Sequence, residues 1–125
     1  MQIRNHHNKE GSLQRGKECW IADNVEIDLT GDVSIGDYTD ISEGVIIYSH
    51  KHNYRPLGRR REIVTYKIGT TTIGRDVFIG REAMILGPLT IGSGAIIGAR
   101  AVVRNDVEAN EIWSGNPAMK IGERG

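Results

Sequence analysis

IGRDVF-IGREAM-ILGPLT-IGSGAI-IGARAV-VRNDVE, residues 73–108, repeats every six residues. Aliphatic side chains stand at Ile73, Ile79, Ile85, Ile91, Ile97 and Val103. Four residues after each comes a second apolar residue: Val77, Ala83, Leu89, Ala95, Ala101 and Val107. Glycine follows the aliphatic at Gly74, Gly80, Gly92 and Gly98. A helix wants a period of about 3.6 and a plain strand about 2. Six suits a short strand closed by a tight turn, and three such units make a triangular coil of eighteen residues. Coils stacked at the strand spacing of about 4.8 Å put Ile73 on Ile91 and Ile79 on Ile97. The aliphatic fills the core, and the residue four later fills a narrow corner, which accounts for Ala83, Ala95 and Ala101.

Upstream the same frame runs through Ile35, Ile41 and Ile47, with Thr39 and Val45 at the second position. A weaker pair stands at Ile21 and Ile27. Ile27 and Ile35 are eight apart, so one turn there carries two extra residues. The predicted fold is therefore all-β, a parallel β-helix of hexapeptide repeats. Its hand does not follow from the pattern. Composition agrees: 17 Ile and 8 Val against 5 Leu favour pleated strands. The 16 glycines supply turns.

Length allows one domain, residues 1–125. Residues 1–18 read as a polar arm or partial cap, and residues 19–112 as coils. The repeat breaks between about 51 and 67 (KHNYRPLGRRREIVTYK), an excursion loop of the kind that usually carries function. From Trp113 the chain leaves the hexad, so 113–125 is expected to turn back over the last coil and shield its open edge.

Lys and Arg number 16 and Asp and Glu 16, so net charge draws the chain neither to nucleic acid nor to an anionic membrane. Apolar runs such as Val45–Tyr48 and Ala83–Leu86 fall far short of the roughly twenty residues of a membrane helix. The first twenty residues hold no apolar core of a signal peptide, and the cytoplasm is the expected compartment. Cys19 is the sole cysteine, which rules out an internal disulfide; no base is placed beside it, and it reads as an inert packed thiol.

The run Ile91-Gly92-x-Gly94-Ala95-Ile96-Ile97-Gly98-Ala99-x-Ala101-Val102-Val103, followed by Gly115-Asn116-Pro117-Ala118, resembles the hexapeptide-repeat acyltransferases. The similarity covers roughly residues 20–122 and points to the sugar and polysaccharide O-acetyltransferase branch that includes maltose- and galactoside-acetyltransferase-like proteins. It implies a left-handed β-helix, a homotrimer with sites between subunits, and acetyl-CoA as donor. It also implies a catalytic histidine where the loop leaves the coil. Counted from Val33-Ser34-Ile35-Gly36-Asp37 this is His52, and Ser49-His50-Lys51-His52 is similar to the Ser-His-x-His form in polysaccharide acetyltransferases. The residues agree with that role. A hydroxyl is a poor nucleophile until a base takes its proton, and histidine, with an ordinary pKa near 6.5, suits the task.

His50, two residues away on the same strand face, either lines the same cleft or caps the turn. The resemblance makes Asp28 a contact to the acceptor or an orienter of the base; the bland reading is a solvated turn residue. Phe78 stands where the family often has Trp, on the acceptor or pantetheine path or as groove filler. For coenzyme A the resemblance implies Gly98 and Ala99, Arg81 one coil away, and Pro117 near the adenine. Met119 departs from the family's basic residue, and Gly122 is a further departure; Lys120 or Arg104 then contacts the phosphates. Arg59-Arg60-Arg61 is a solvated loop face or a contact to an acidic acceptor or to coenzyme phosphates; His6 and His7 in the arm carry no role. Three further functions compete: an N-acetyltransferase acting on an amino sugar or antibiotic, a non-catalytic scaffold, and a zinc enzyme on the same fold. The last lacks the three histidine ligands it needs, so no metal is expected.

Overall fold

The computed structural model describes residues 1–4, 11–53, 55, 57–58 and 66–125. Arg59, Arg60, Arg61, His6 and His7 lie outside the described residues. The chain is all-β, and three parallel sheets are visited in rotation. The first holds β1 (Gln2–Arg4), β4 (Glu26–Asp28), β7 (Ile46–Tyr48), β12 (Met84–Leu86) and β15 (Val102–Val103). The second holds β2 (Leu13–Arg15), β5 (Asp32–Ile35), β10 (Thr70–Ile73) and β13 (Thr90–Ile91). The third holds β3 (Trp20–Ile21), β6 (Asp40–Ile41), β11 (Phe78–Ile79), β14 (Ile96–Ile97), β16 (Glu111–Gly115) and β17 (Ala118–Glu123).

The register is the one the period demands. Ile73 pairs with Ile91, Ile79 with Ile97 and Ile85 with Val103, each eighteen residues on. The core is a stack of these side chains: Ile27, Ile41, Ile47, Ile79, Ile85, Ile91 and Ile97 are all fully buried. Ala83, Ala95 and Ala101 are buried at the corners, as their spacing predicts.

Close approach and left-handed backbone are both demanded in the turns, and they coincide on glycine only at some positions, such as Gly44 and Gly94. A Cβ on Gly80 would lie 2.6 Å from the amide nitrogen of Ala99, and one on Gly74 2.6 Å from that of Ser93. These glycines let successive coils touch. The positive φ values fall mostly elsewhere, on Glu18, Tyr38, Asp76, Glu82, Arg100 and Asn110. Such non-glycine residues cost roughly 1–2 kcal/mol each. Tyr38, Asp76, Glu82, Arg100 and Asn110 each donate their amide to the coil before, as Glu82 does to Glu43 O at 2.9 Å and Arg100 to Arg81 O at 2.8 Å.

Both ends of the stack carry added strands. Residues 1–18, expected as a loose arm or partial cap, add β1 and β2 in parallel to β4 and β5. At the other end β16 pairs in parallel with β14, and β17 folds back antiparallel on β16. Arg124 then reaches the main-chain oxygens of Asp76 and Gly94, both at 3.1 Å, clipping the tail to two coils. No helix among the described residues is long and apolar enough to cross a membrane. Replacing Ile85, fully buried in mid-stack, by alanine should cost about 2–5 kcal/mol in a urea titration with little change in m-value.

Candidate active site

The site forms where the repeat fails in two adjacent coils. Ile27 pairs with Ile47, so the residues that follow them leave the hexad one above the other. After Ile27 come the two extra residues of the turn. After Ile47 the chain departs into the excursion, whose stem is the antiparallel pair β8 (His50–His52) and β9 (Tyr66–Ile68). His50 sits opposite Ile68 and His52 opposite Tyr66.

Asp28 lies at this junction with 2% of its surface exposed. A carboxylate there needs donors on both oxygens. Oδ1 accepts from the Thr30 hydroxyl at 2.6 Å and the Thr30 amide at 3.1 Å. Oδ2 accepts from the Ser49 amide at 3.0 Å and lies 2.5 Å from His50 Nδ1. Ser49 Oγ donates to the Asp28 carbonyl at 2.6 Å and accepts from the Gly31 amide at 2.8 Å. Burial alone would push this carboxyl up. The Thr30 hydroxyl, the Ser49 amide, His50 and the Thr30 amide outweigh it and lower the pKa from 3.8 to about 2. An ionised carboxylate only accepts, so the proton in the contact sits on His50 Nδ1, and Nε2 is left as the acceptor of the neutral ring.

His50 is 6% exposed, whereas His52 is exposed. Their rings meet edge to face with centroids 5.3 Å apart. Tyr66 stands 6.5 Å from His50 and 6.1 Å from His52. Both histidines line one cleft of about 460 Å³ with Tyr48, Lys51, Met84, Leu86 and Gly87. Met84 also borders a groove along the corner between the third and first sheets, lined by Asn24, Glu43, Arg81 and Glu82 and continuing to Trp20.

The other expected residues divide between that corner and other parts of the surface. Gly80 stacks on Ala99, and Gly98 stacks beneath Ser114. The Gly115–Ala118 turn, with Pro117, follows on. Arg81, Gly98, Ala99 and Pro117 therefore share one edge that leads to the cleft. Arg104 is exposed one residue past the Ile85–Val103 pair, at the level of Leu86. Lys120 is tied to Glu111 at 3.2 Å and Glu123 at 2.7 Å, which raise its pKa. Phe78 is 45% exposed on the outer face of the third sheet, between Asp40 and Ile96, and is not among the described residues lining the cleft. Asp28 faces His50 rather than His52. Cys19 is half-buried, its thiol 3.0 Å from the Gly36 carbonyl. Among the described residues no group of three potential ligands is placed to hold a metal ion.

Residues 70–105 match the bacterial transferase hexapeptide family (six repeats). A probable macrolide acetyltransferase of Lysinibacillus sphaericus is 37% identical over 121 residues, covering 82% of this chain and 67% of that protein. The chain belongs to the hexapeptide-repeat transferases. A chloramphenicol acetyltransferase of Klebsiella aerogenes is 53% identical over 58 residues, 46% of this chain, and that match spans only 28% of the relative's length. Two solved structures align along nearly the whole chain. A hexapeptide-repeat acetyltransferase of Vibrio cholerae O1 biovar eltor, complexed with acetyl coenzyme A, gives a TM-score of 0.82 at 26% identity, covering 97% of this chain and 64% of that one. A maltose O-acetyltransferase of Clostridium difficile 630 gives 0.81 at 25% identity, covering 99% and 67%.

Sequence reasoning in this hexapeptide-repeat chain missed Thr30 and the wall of Tyr48, Met84 and Leu86, and it quoted Ser49 in the histidine motif without giving it a role. The eight-residue step from Ile27 to Ile35, with Asp28-Leu29-Thr30 inside it, was the available signal for Thr30. The depressed Asp28 pKa gives stability that is present above 3.8 and is lost as pH falls through about 2. In Asp28→Asn this acid-dependent part, on the order of 2 kcal/mol, should be missing. Denaturant midpoints of the two proteins should therefore converge between about pH 4 and pH 2.

Proposed function

We propose that this protein is an acetyl-CoA-dependent O-acetyltransferase acting on a sugar or polysaccharide hydroxyl. The observation that carries this reading is the buried Asp28–His50 contact at the back of a cleft that adjoins the corner groove. The names of its relatives add support, and so does the acetyl coenzyme A held by the Vibrio structure. We read the coil as left-handed and the working form as a homotrimer in the cytoplasm, a neighbouring copy completing the open side of each cleft.

In this mechanism the donor lies along the corner of Arg81, Gly98, Ala99 and Pro117, with its thioester directed past Met84. Arg81 faces the phosphates, because Lys120 is already committed to two carboxylates and Arg104 stands off that corner at the level of Leu86. Asp28 fixes the His50 tautomer, and His50 Nε2 takes the acceptor proton as the hydroxyl attacks the thioester carbonyl. Backbone N–H groups stabilise the oxyanion. The imidazolium then returns the proton to the leaving thiolate. His52 as the base is the second reading, favoured by its exposure in the same cleft. A hydroxyl suits the site better than an amine. No carboxylate is among the described residues lining the cleft, and Lys51 would repel an ammonium.

The test pairs calorimetric acetyl-CoA binding with thiol release in the presence of maltose and a panel of polyols. His50→Ala should lower turnover by about 10²–10⁴ with acetyl-CoA affinity unchanged. Loss in His52→Ala with His50→Ala near normal would move the base to His52. An absence of binding at millimolar acetyl-CoA would sink the enzyme reading in favour of a scaffold.

A further inference from the structure

We infer that Thr30 is a positioning residue for His50, acting through Asp28 and resting on the catalytic reading of that pair. The carboxylate has two oxygens and one torsion that decides where they point. Oδ2 serves His50 at 2.5 Å and the Ser49 amide at 3.0 Å. Oδ1 is held by Thr30 alone among the described residues, through the hydroxyl at 2.6 Å and the amide at 3.1 Å. The shorter bond is the hydroxyl's, and Thr30 is 2% exposed, so water does not replace it readily. A fixed Oδ1 fixes Oδ2 in the line of Nδ1. Without the hydroxyl only the longer bond from the Thr30 amide holds Oδ1, and the carboxylate turns more easily towards Ser49, whose amide and hydroxyl lie at 3.0 and 3.2 Å from Oδ2. Thr30 exists at this point because the turn between Ile27 and Ile35 carries two extra residues. The inserted residues thus give the dyad its third member.

The experiment reads the His50 Nδ1–H proton by NMR in full-length protein labelled at histidine with ¹⁵N, assigned by its loss in His50→Gln. Wild type should show a downfield, exchange-protected resonance, and Thr30→Ser should keep it. Thr30→Val, with the amide spectrum otherwise native, should lose it or exchange at least tenfold faster. If Thr30→Val does not fold, Thr30→Ala is read in its place with the same criteria. An unchanged resonance and exchange rate in the variant lacking the hydroxyl overturns the proposal, and so does the absence of any protected signal in wild type. The spectra need no substrate. A wild type inactive with acetyl-CoA and maltose therefore counts against the enzymatic reading and not against the role of Thr30. Where turnover is measurable, Thr30→Val should lower kcat about tenfold with KM for acetyl-CoA unchanged, and Thr30→Ser should restore it.

Discussion

Parallel pairing of each coil with the next is the constraint from which the rest of the structure follows. Once Ile73 lies on Ile91 and Ile79 on Ile97, every side chain in the intervening turns has an assigned direction. Inward positions take Ile or Val on the strands and smaller residues such as Ala83, Ala95 and Ala101 at the corners, because all three sheets converge on the same narrow interior. Turn glycines must disappear beneath the backbone of the neighbouring coil, as Gly80 does beneath Ala99. A residue that does not fit the six-fold count is displaced from the aliphatic stack, and Asp28 and Thr30 are buried beside it.

That exclusion is what builds the site. Two residues too many follow Ile27 and a whole excursion follows Ile47, and these two strands are neighbours. The departures therefore coincide in space. They open a gap in the wall where a carboxylate, two hydroxyls and two imidazoles replace the aliphatic pattern. The gap is buried enough to make Asp28 expensive if left alone. Thr30, Ser49 and His50 together offset that cost and leave the carboxyl well below its ordinary range. The regular coils on either side supply a rigid frame and the apolar wall of Met84 and Leu86. Rigid elements carrying an irregular, polar break are the arrangement in which a catalytic geometry is held most closely.

The two ends of the stack are finished differently. A stack of parallel coils presents open backbone at both faces. β1 and β2 lengthen the first and second sheets at one end, and the hairpin of β16 and β17 lengthens the third sheet at the other. The hairpin turn also extends the corner column that holds Gly98 and Ala99. That turn borders the proposed donor groove, whereas Lys120, on the return strand, is tied to Glu111 and Glu123.

The sequence by itself determined the coil. The six-residue spacing of Ile73 to Val103 states which side chains are inside, because direction in a strand-and-turn repeat depends only on position within the period. It also marked the place of the candidate site, since an eight-residue step and a seventeen-residue break are visible as failures of that period. Glycine and left-handed turn positions were only half legible. Tyr38, Glu82 and Arg100 take a conformation that composition assigns to glycine or asparagine, and the stack compels it. Only the tertiary structure decided which histidine meets the carboxylate. His50 and His52 share a strand face and look alike in sequence, but the backbone leaves the coil at Ser49. That departure buries the nearer ring against Asp28 and carries the farther one out to the rim. Such a choice depends on where two irregular turns from different coils come together, and no local pattern records that distance.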